Sequence, residues 1–370
     1  MKHCLNLMIA ITFLSLGVPE ASAELRLACI FADQMVLQRD QPIQALGWAE
    51  TDDEVTVSFA DQTETAVAVE NGAWSVSFNR LANHIRPQKK RPNIVLFLVD
   101  DMGWHDTSVP FHTEVTDFNR RYRTPHMEKL AKSGMKFTQA YACSVCSPTR
   151  VSLMTGLNAA RHRVTNWTLR KNASNDRGHP QLAFPLWNVN GLSPEPDIER
   201  TIYAKALPAY LSEAGYRTIH VGKAHFGAIG THGSDPRNVG FEVNIAGHAA
   251  GGPGSFLGSR TSAPVWRKGD RVWDVPGLES YHGKDIFLTE SLTIEANKAV
   301  DQAVADGKPF FLYMSHYAVH VPFAVDSRFY QKYRDEGLDH TEAMYAAMVE
   351  RDGQVTGRHS GQRRTSRAVQ

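Results

Sequence analysis

Two neighbouring carboxylates, Asp100 and Asp101, follow directly on an apolar run, Ile94-Val95-Leu96-Phe97-Leu98-Val99. Adjacent carboxylates repel each other and invite a hard cation such as Ca²⁺ or Mg²⁺, which takes oxygen ligands. The same Asp-Asp-Met-Gly would also serve as a helix N-cap or a turn. A second group lies at Cys146-Ser147-Pro148-Thr149-Arg150. Pro148 suits the first turn of a helix, so Cys146 sits at the helix N-terminus, facing unpaired N–H groups and the positive end of the dipole. Arg150 is about one turn on and faces the same space. Cys143, three residues upstream, leaves a redox pair open as a reading. A zinc knuckle would need a second ligand pair, for which Cys29 alone remains once Cys4 is cleaved away with a leader.

These side chains need a scaffold that gathers them. The chain has 370 residues, 42% hydrophobic and 21% charged, which predicts a folded protein of two domains or one large domain with a module. Forty Lys+Arg against 39 Asp+Glu give a formal charge of +1, which excludes a broad basic field for nucleic acid. Four cysteines are too few for a disulfide-built scaffold. Lys2 and His3, the apolar run Leu5 to Val18, and Ala21-Ser22-Ala23 predict a cleaved signal peptide over 1–23, hence a secreted or periplasmic protein with no stable membrane insertion.

Residues 24–85 read as a small β-sandwich-like module. Glu54 to Phe59, Thr65 to Val69 and Trp74 to Phe78 alternate apolar and polar side chains, and Asn71-Gly72 marks a turn. Residues 86–92 are a basic, proline-punctuated linker. From 93 onward apolar runs alternate with helical stretches, namely Pro125 to Ser133, Pro148 to Leu157, Ile202 to Ala214 and Leu288 to Asp306. Strands are expected at Ile94 to Val99, Thr218 to Val221 and Pro309 to Met314. The unbroken run at Ile94 to Val99 predicts a strand buried on both faces of a parallel sheet. The whole is α/β, with a mostly parallel sheet covered by helices on both faces. Ligands of such sheets bind beyond the carboxyl ends of the strands, where Asp100 and Asp101 stand.

Two stretches resemble known families. Leu25-Arg26-Leu27, Phe31 to Arg39 and Gly47-Trp48-Ala49 resemble the N-terminal β region of sialate O-acetylesterases, without that family's nucleophile, which implies a β accessory module. Cys146-Ser-Pro-Thr-Arg150 with Leu153-Met154-Thr155-Gly156, and Gly215 to Gly227 with its Gly-Lys-Ala-His, resemble the two signatures of the sulfatase family. Arg91-Pro92-Asn93 with Asp100-Asp101-Met102-Gly103, Thr124 to Gly134, and Pro309 to Pro322 resemble further stretches of it.

The second resemblance implies an alkaline-phosphatase-like fold. It also implies that Cys146 is oxidised to formylglycine by a formylglycine-generating or radical maturase enzyme. The hydrated aldehyde would attack sulfur while Ca²⁺ (less readily Mg²⁺) on Asp100, Asp101 and residue 146 neutralises the sulfate. Arg150 would hold the diol, Lys223 and His225 would flank it, and His320 would act as general acid near the leaving oxygen. The implied substrate is a sulfated small molecule or polysaccharide. His316 is read as structural or as a substrate-side contact, and His248 as a loop residue that could touch substrate.

After Glu350 the family pattern would continue to an Asp-Asn pair that completes the metal shell, and to a further Lys. Here residues 351–370 are basic and without apolar periodicity, so they read as a disordered tail of a truncated or frameshifted gene. The 370-residue chain is therefore expected to show little or no sulfatase activity. The alternatives are a phosphate or phosphonate ester hydrolase of the same fold, or a non-catalytic remnant with a glycan-binding β module.

Overall fold

A computed structural model describes residues 25–27, 42–59, 62–79, 91–259 and 270–365, with the side chains of 26–27 and 355–365 excepted. The signal segment, residues 86–90 of the linker and Phe31 to Arg39 lie outside the described residues. The chain divides into two compact units, Met1–Lys90 and Arg91–Gln370.

The first unit is antiparallel. Strands β1 (Arg26–Leu27), β2 (Ile43–Trp48) and β5 (Ala73–Phe78) form one sheet, and β3 (Glu54–Phe59) pairs with β4 (Gln62–Val67) in another. Alternation does the work here. Val55, Val57, Trp74, Val76 and Phe78 are buried together, while their sequence neighbours face outward. The turn at Asn71-Gly72 brings the Gly72 backbone against Ala49, where a Cβ would lie 2.5 Å from a carbonyl oxygen, and Gly72 takes φ +76°.

In the second unit the chain order is β6 (Ile94–Leu98), α1 (Asp117–Arg121), α2 (Pro125–Ser133), α3 (Cys146–Thr155), α4 (Ala159–His162), β7 (Leu192–Ser193), β8 (Ile202–Tyr203) and α5 (Leu207–Glu213). There follow β9 (Arg217–Gly222), β10 (Val243–Ile245), α6 (Leu288–Ala305), β11 (Phe310–Ser315), α7 (Tyr330–Asp335) and α8 (His340–Thr365). The main sheet is parallel, in the order β10-β9-β11-β6. Central β11 is buried at every position, and two apolar clusters flank the sheet, one built on α6 and α8 and the other on α3 and α5. Among the described residues no helix is long and apolar enough to cross a membrane.

Three expectations are corrected. The Ile94 strand is not buried on both faces, because among the described residues β6 pairs with β11 alone and its five positions are half-buried. An apolar run reports hydrophobicity but not the number of neighbouring strands. Ile202 to Ala214 is not one helix. Ile202–Tyr203 pair with β7, and the helix starts only at Leu207, where Pro208 takes the first turn. The stretch read as a disordered tail carries helix α8 on to Thr365. Its first residues are held by distant partners that local periodicity does not reveal. Arg351 pairs with Asp326 at 2.6 Å, Asp352 is buried against His316, and Gly353 packs on Thr124.

Candidate active site

The carboxyl ends of β6, β9 and β11 meet at one place, and the side chains singled out in the sequence are there. Asp100 is two residues past β6 and buried. Its backbone is clamped to the segment after β11, with Asp100 N–H donating to Ala318 O at 2.9 Å and Val319 N–H to Asp100 O at 2.7 Å. Its carboxylate accepts from Arg150 Nη2 at 3.0 Å on one oxygen and from Lys223 Nζ on the other. Burial by itself would raise the Asp100 pKa, but the two cations outweigh it and hold the group below the usual carboxylate range.

Arg150 is wholly buried on α3. It donates to the Lys223 carbonyl at 2.8 Å, to Ser315 Oγ at 2.5 Å and to Tyr313 Oη at 3.3 Å besides Asp100. Burial opposes its charge, yet Tyr313, Asp100 and Cys146 together keep it more firmly protonated than a free guanidinium. Lys223 follows β9 directly. Its N–H donates to Ser315 O at 2.8 Å, an approach that needs Gly222 before it, at φ +98° and with no room for a Cβ. Tyr313 and Ser315, two apart at the end of β11, project to the same side of the sheet. Sequence reading missed both. Two hydroxyl residues at alternate positions in an otherwise apolar strand were the available signal.

Cys146 is the first residue of α3, partly exposed, at an N-terminus without a side-chain cap. The next residue, Ser147, accepts from Thr168 N–H at 3.0 Å, and the Thr168 carbonyl takes the Nε2–H of His225 at 2.7 Å. His225, at φ +53°, is thus tied to the start of α3. Its other nitrogen, Nδ1, is buried with no partner, and burial together with Lys223 pushes its pKa well below that of a free imidazole. That edge of the ring packs against Gly251, where a Cβ would come within 2.4 Å of Nδ1.

Asp101 stands exposed at φ +56°, with His320 Nε2 at 3.8 Å from its carboxylate. Donor atoms of Asp100, Asp101 and His320 lie within 4.8 Å of one another. His320 donates Nδ1–H to Val321 O at 2.6 Å, which leaves Nε2 as a lone pair turned toward that group. Burial and Lys223 lower its pKa, so the resting ring is neutral at pH 7. It must gain a proton before it can give one.

Two residues outside this set are also placed. Cys143 Sγ lies 3.6 Å from Ser152 Oγ, and Ser152 is six residues beyond Cys146, about 9 Å of helix rise. That position argues against a Cys143–Cys146 redox pair, and both thiols are free. His316, just past β11, is fully buried and held by Asp352 of α8, with its ring edge-on to Phe97 at 4.9 Å.

The carboxyl edge of this parallel α/β sheet, the place where such sheets bind ligands, thus collects a cysteine, two cations and paired carboxylates, and defines an α/β fold with its candidate site at the strand ends. The sequence model described as Sulfatase matches residues 92–364, and the chain belongs to the sulfatase family. Among curated proteins, mouse (Mus musculus) arylsulfatase G is 30% identical over 253 residues, 64% of this chain and 42% of its own. A sulfatase of Formosa agariphila is 29% identical over 308 residues, 73% of this chain and 52% of its own. This chain therefore spans about half the length of the curated relatives it matches. The crystal structure of Ps i-CgsB is similar with a TM-score of 0.53 at 26% identity, covering 73% of this chain and 54% of that one. That protein was also solved in complex with k-i-k-neocarrahexaose (TM-score 0.51, 26% identity, 72% and 53% covered).

Proposed function

We propose that the protein hydrolyses a sulfate ester of a carbohydrate to alcohol and sulfate, with Cys146 converted to formylglycine by a maturase and with Ca²⁺ bound at the carboxylate pair. The reading includes export, on the strength of the N-terminal leader pattern. The observation that carries it is the convergence of Cys146, Arg150, Lys223, His225 and Asp100 at one end of the parallel sheet.

The carboxylates of Asp100 and Asp101 are hard oxygen donors, grouped within reach of a single ion, and would supply part of a Ca²⁺ shell. Bound there, the ion would supply charge neutralisation at the sulfate. The aldehyde would supply, as its hydrate, an oxygen nucleophile toward sulfur. The remaining work falls to the chain's own residues. Arg150 holds Asp100 and the Lys223 carbonyl in place and presents positive charge beside position 146. His225, bonded through Nε2 to the Thr168 carbonyl beside the start of α3, would flank the hydroxyl at position 146. Lys223 sets a second fixed cation at the anion's side, and water exclusion around the three makes those charges count. His320, once protonated, would give its proton to the leaving oxygen.

The test pairs chemistry with mass. Made with a maturase, the peptide containing residue 146 is expected to show the aldehyde mass, and whatever slight turnover the 370-residue chain gives is expected to be greater on 4-nitrophenyl sulfate than on 4-nitrophenyl phosphate. Cys146→Ala abolishes this and Cys143→Ser leaves it nearly intact. A peptide that stays wholly thiol in a competent host, or a preference for the phosphate ester, overturns the reading.

A further inference from the structure

The loop that leaves the carboxylate pair ends in an aromatic surface which the reaction does not use. Asp106 folds this loop into a tight turn, accepting from Gly103 N–H at 2.8 Å while its own N–H donates to Gly103 O at 3.0 Å. Tyr345 of α8 donates to the same carboxylate at 2.7 Å and fixes the turn from below. Trp104, three residues after Asp101, stands at the tip of the turn with 53% of its surface exposed. Its ring lies against His105 at 3.4 Å between centroids. His105 in turn stacks on Phe118 at 5.7 Å and 15°, and Phe118 is 46% exposed. The guanidinium of Arg121 lies 5.2 Å from the Phe118 ring, and the exposed His112 borders Trp104 at 6.5 Å. Arg121 meets Glu342 at 3.1 Å through one nitrogen and also hydrogen-bonds Tyr122, and its five N–H donors still exceed these two partners.

A half-exposed tryptophan on a hydrogen-bonded turn, tilted by 46° against His105, is costly as mere surface and suited to one kind of partner. The apolar face of a pyranose ring stacks on an aromatic face, and an arginine at its end takes a sulfate group. We propose that Trp104, His105 and Phe118, with Arg121 at the far end, form a subsite for the sugar rings that neighbour the sulfate under attack, so that the ligand is a sulfated oligosaccharide and not an isolated sulfate ester. The shelf is continuous with the candidate site, because it begins on the turn that Asp101 opens. The inference rests on the sulfate-ester reading for the identity of its ligand, and the saccharide bound by the similar Ps i-CgsB supplies the probe.

Binding is read separately from turnover. In the full chain carrying Cys146→Ala, titration calorimetry with k-i-k-neocarrahexaose is expected to give saturable binding. Added Trp104→Ala should weaken it about tenfold, equivalent to about 1.4 kcal/mol. Trp104→Phe should recover most of that loss, and a hexasaccharide of the same backbone stripped of sulfate should bind at least tenfold more weakly than the sulfated one. Tyr210→Ala, an exposed ring on α5, should change nothing. With Cys146 present, Trp104→Ala should raise KM for the hexasaccharide while leaving KM for 4-nitrophenyl sulfate unchanged. No binding by the Cys146→Ala chain, equal affinity with and without Trp104, or a Trp104→Ala effect traced to a broken dimer in size-exclusion chromatography each overturns the proposal. If residue 146 carries no aldehyde and yet Trp104 controls saccharide binding, the proposed reaction fails and the subsite stands.

Discussion

Replacing Arg150 with Met tests how the site is held together without asking it to turn over. The substitution keeps an apolar stem of similar length and removes the guanidinium, which donates to Asp100, the Lys223 carbonyl, Ser315 and Tyr313. Asp100 keeps Lys223 as its partner, but one of its buried oxygens loses its donor, as does the buried Lys223 carbonyl. Removing one partner from a buried charge network costs about 3–5 kcal/mol, because the desolvated groups left behind have no water to replace the loss. Arg217→Met provides the contrast. Its ion pair with Asp306 at 2.7 Å is partly exposed, so its loss should cost about 1 kcal/mol or less. Urea unfolding followed by tryptophan fluorescence measures both. Should Arg150→Met unfold within about 1 kcal/mol of the parent, no more than Arg217→Met, the picture of Arg150 as the brace of this site is refuted.

Other perturbations probe separate parts. Gly222→Ala forces a Cβ to within 1.9 Å of Ser315 O at a positive φ, and should lower stability by about 1–3 kcal/mol or more and cut turnover, since Lys223 is displaced; an alanine variant of unchanged urea midpoint would contradict this. Asp352→Ala strips His316 of its buried hydrogen-bond partner and should destabilise by about 1–3 kcal/mol, measured in the same way, with a wild-type midpoint as the contrary result. Burial pushes the pKa of His248 down to about 4 and, with Arg150, that of His220 to about 3. Both are therefore neutral in the fold while the unfolded chain takes up protons below about pH 6.5, so stability should fall as the pH drops from 6.5 toward 4. His248→Gln should flatten that profile, and an unchanged slope would count against it.

Much of this site was readable because its residues fall in short local patterns. Pro148 predicts the helix start that sets Cys146 at an N-terminus, and the apolar run ending at Val99 predicts a strand whose carboxyl end carries Asp100 and Asp101. What escaped depends on partners far along the chain. The half-burial of β6 follows from its pairing, among the described residues, with β11 alone, which no property of Ile94 to Leu98 encodes. Arg351 and Asp352 look like the start of a solvated tail until Asp326 and His316 are brought to them. The expectation for Arg150 concerned the nucleophile; the contacts the structure shows are to Asp100, Ser315 and Tyr313, the last two strand residues whose alternate hydroxyls were the one local signal of that role.

The parallel order of the sheet has a consequence in time. Arg150 is 50 residues from its carboxylate and Lys223 is 123, while Phe310 at the start of β11 donates to Asn93, 217 residues away. Parallel neighbours cannot meet through a short turn, so each contact waits for a long loop to close, and such topologies fold slowly. Helices α3 and α6 are local and can form early, but the charges of Arg150 and Lys223 stay in water until the strands on either side of them have docked. In a refolding experiment helical ellipticity should return first, with protection of the Lys223 and Val319 amides, which bond to Ser315 and Asp100, among the last events.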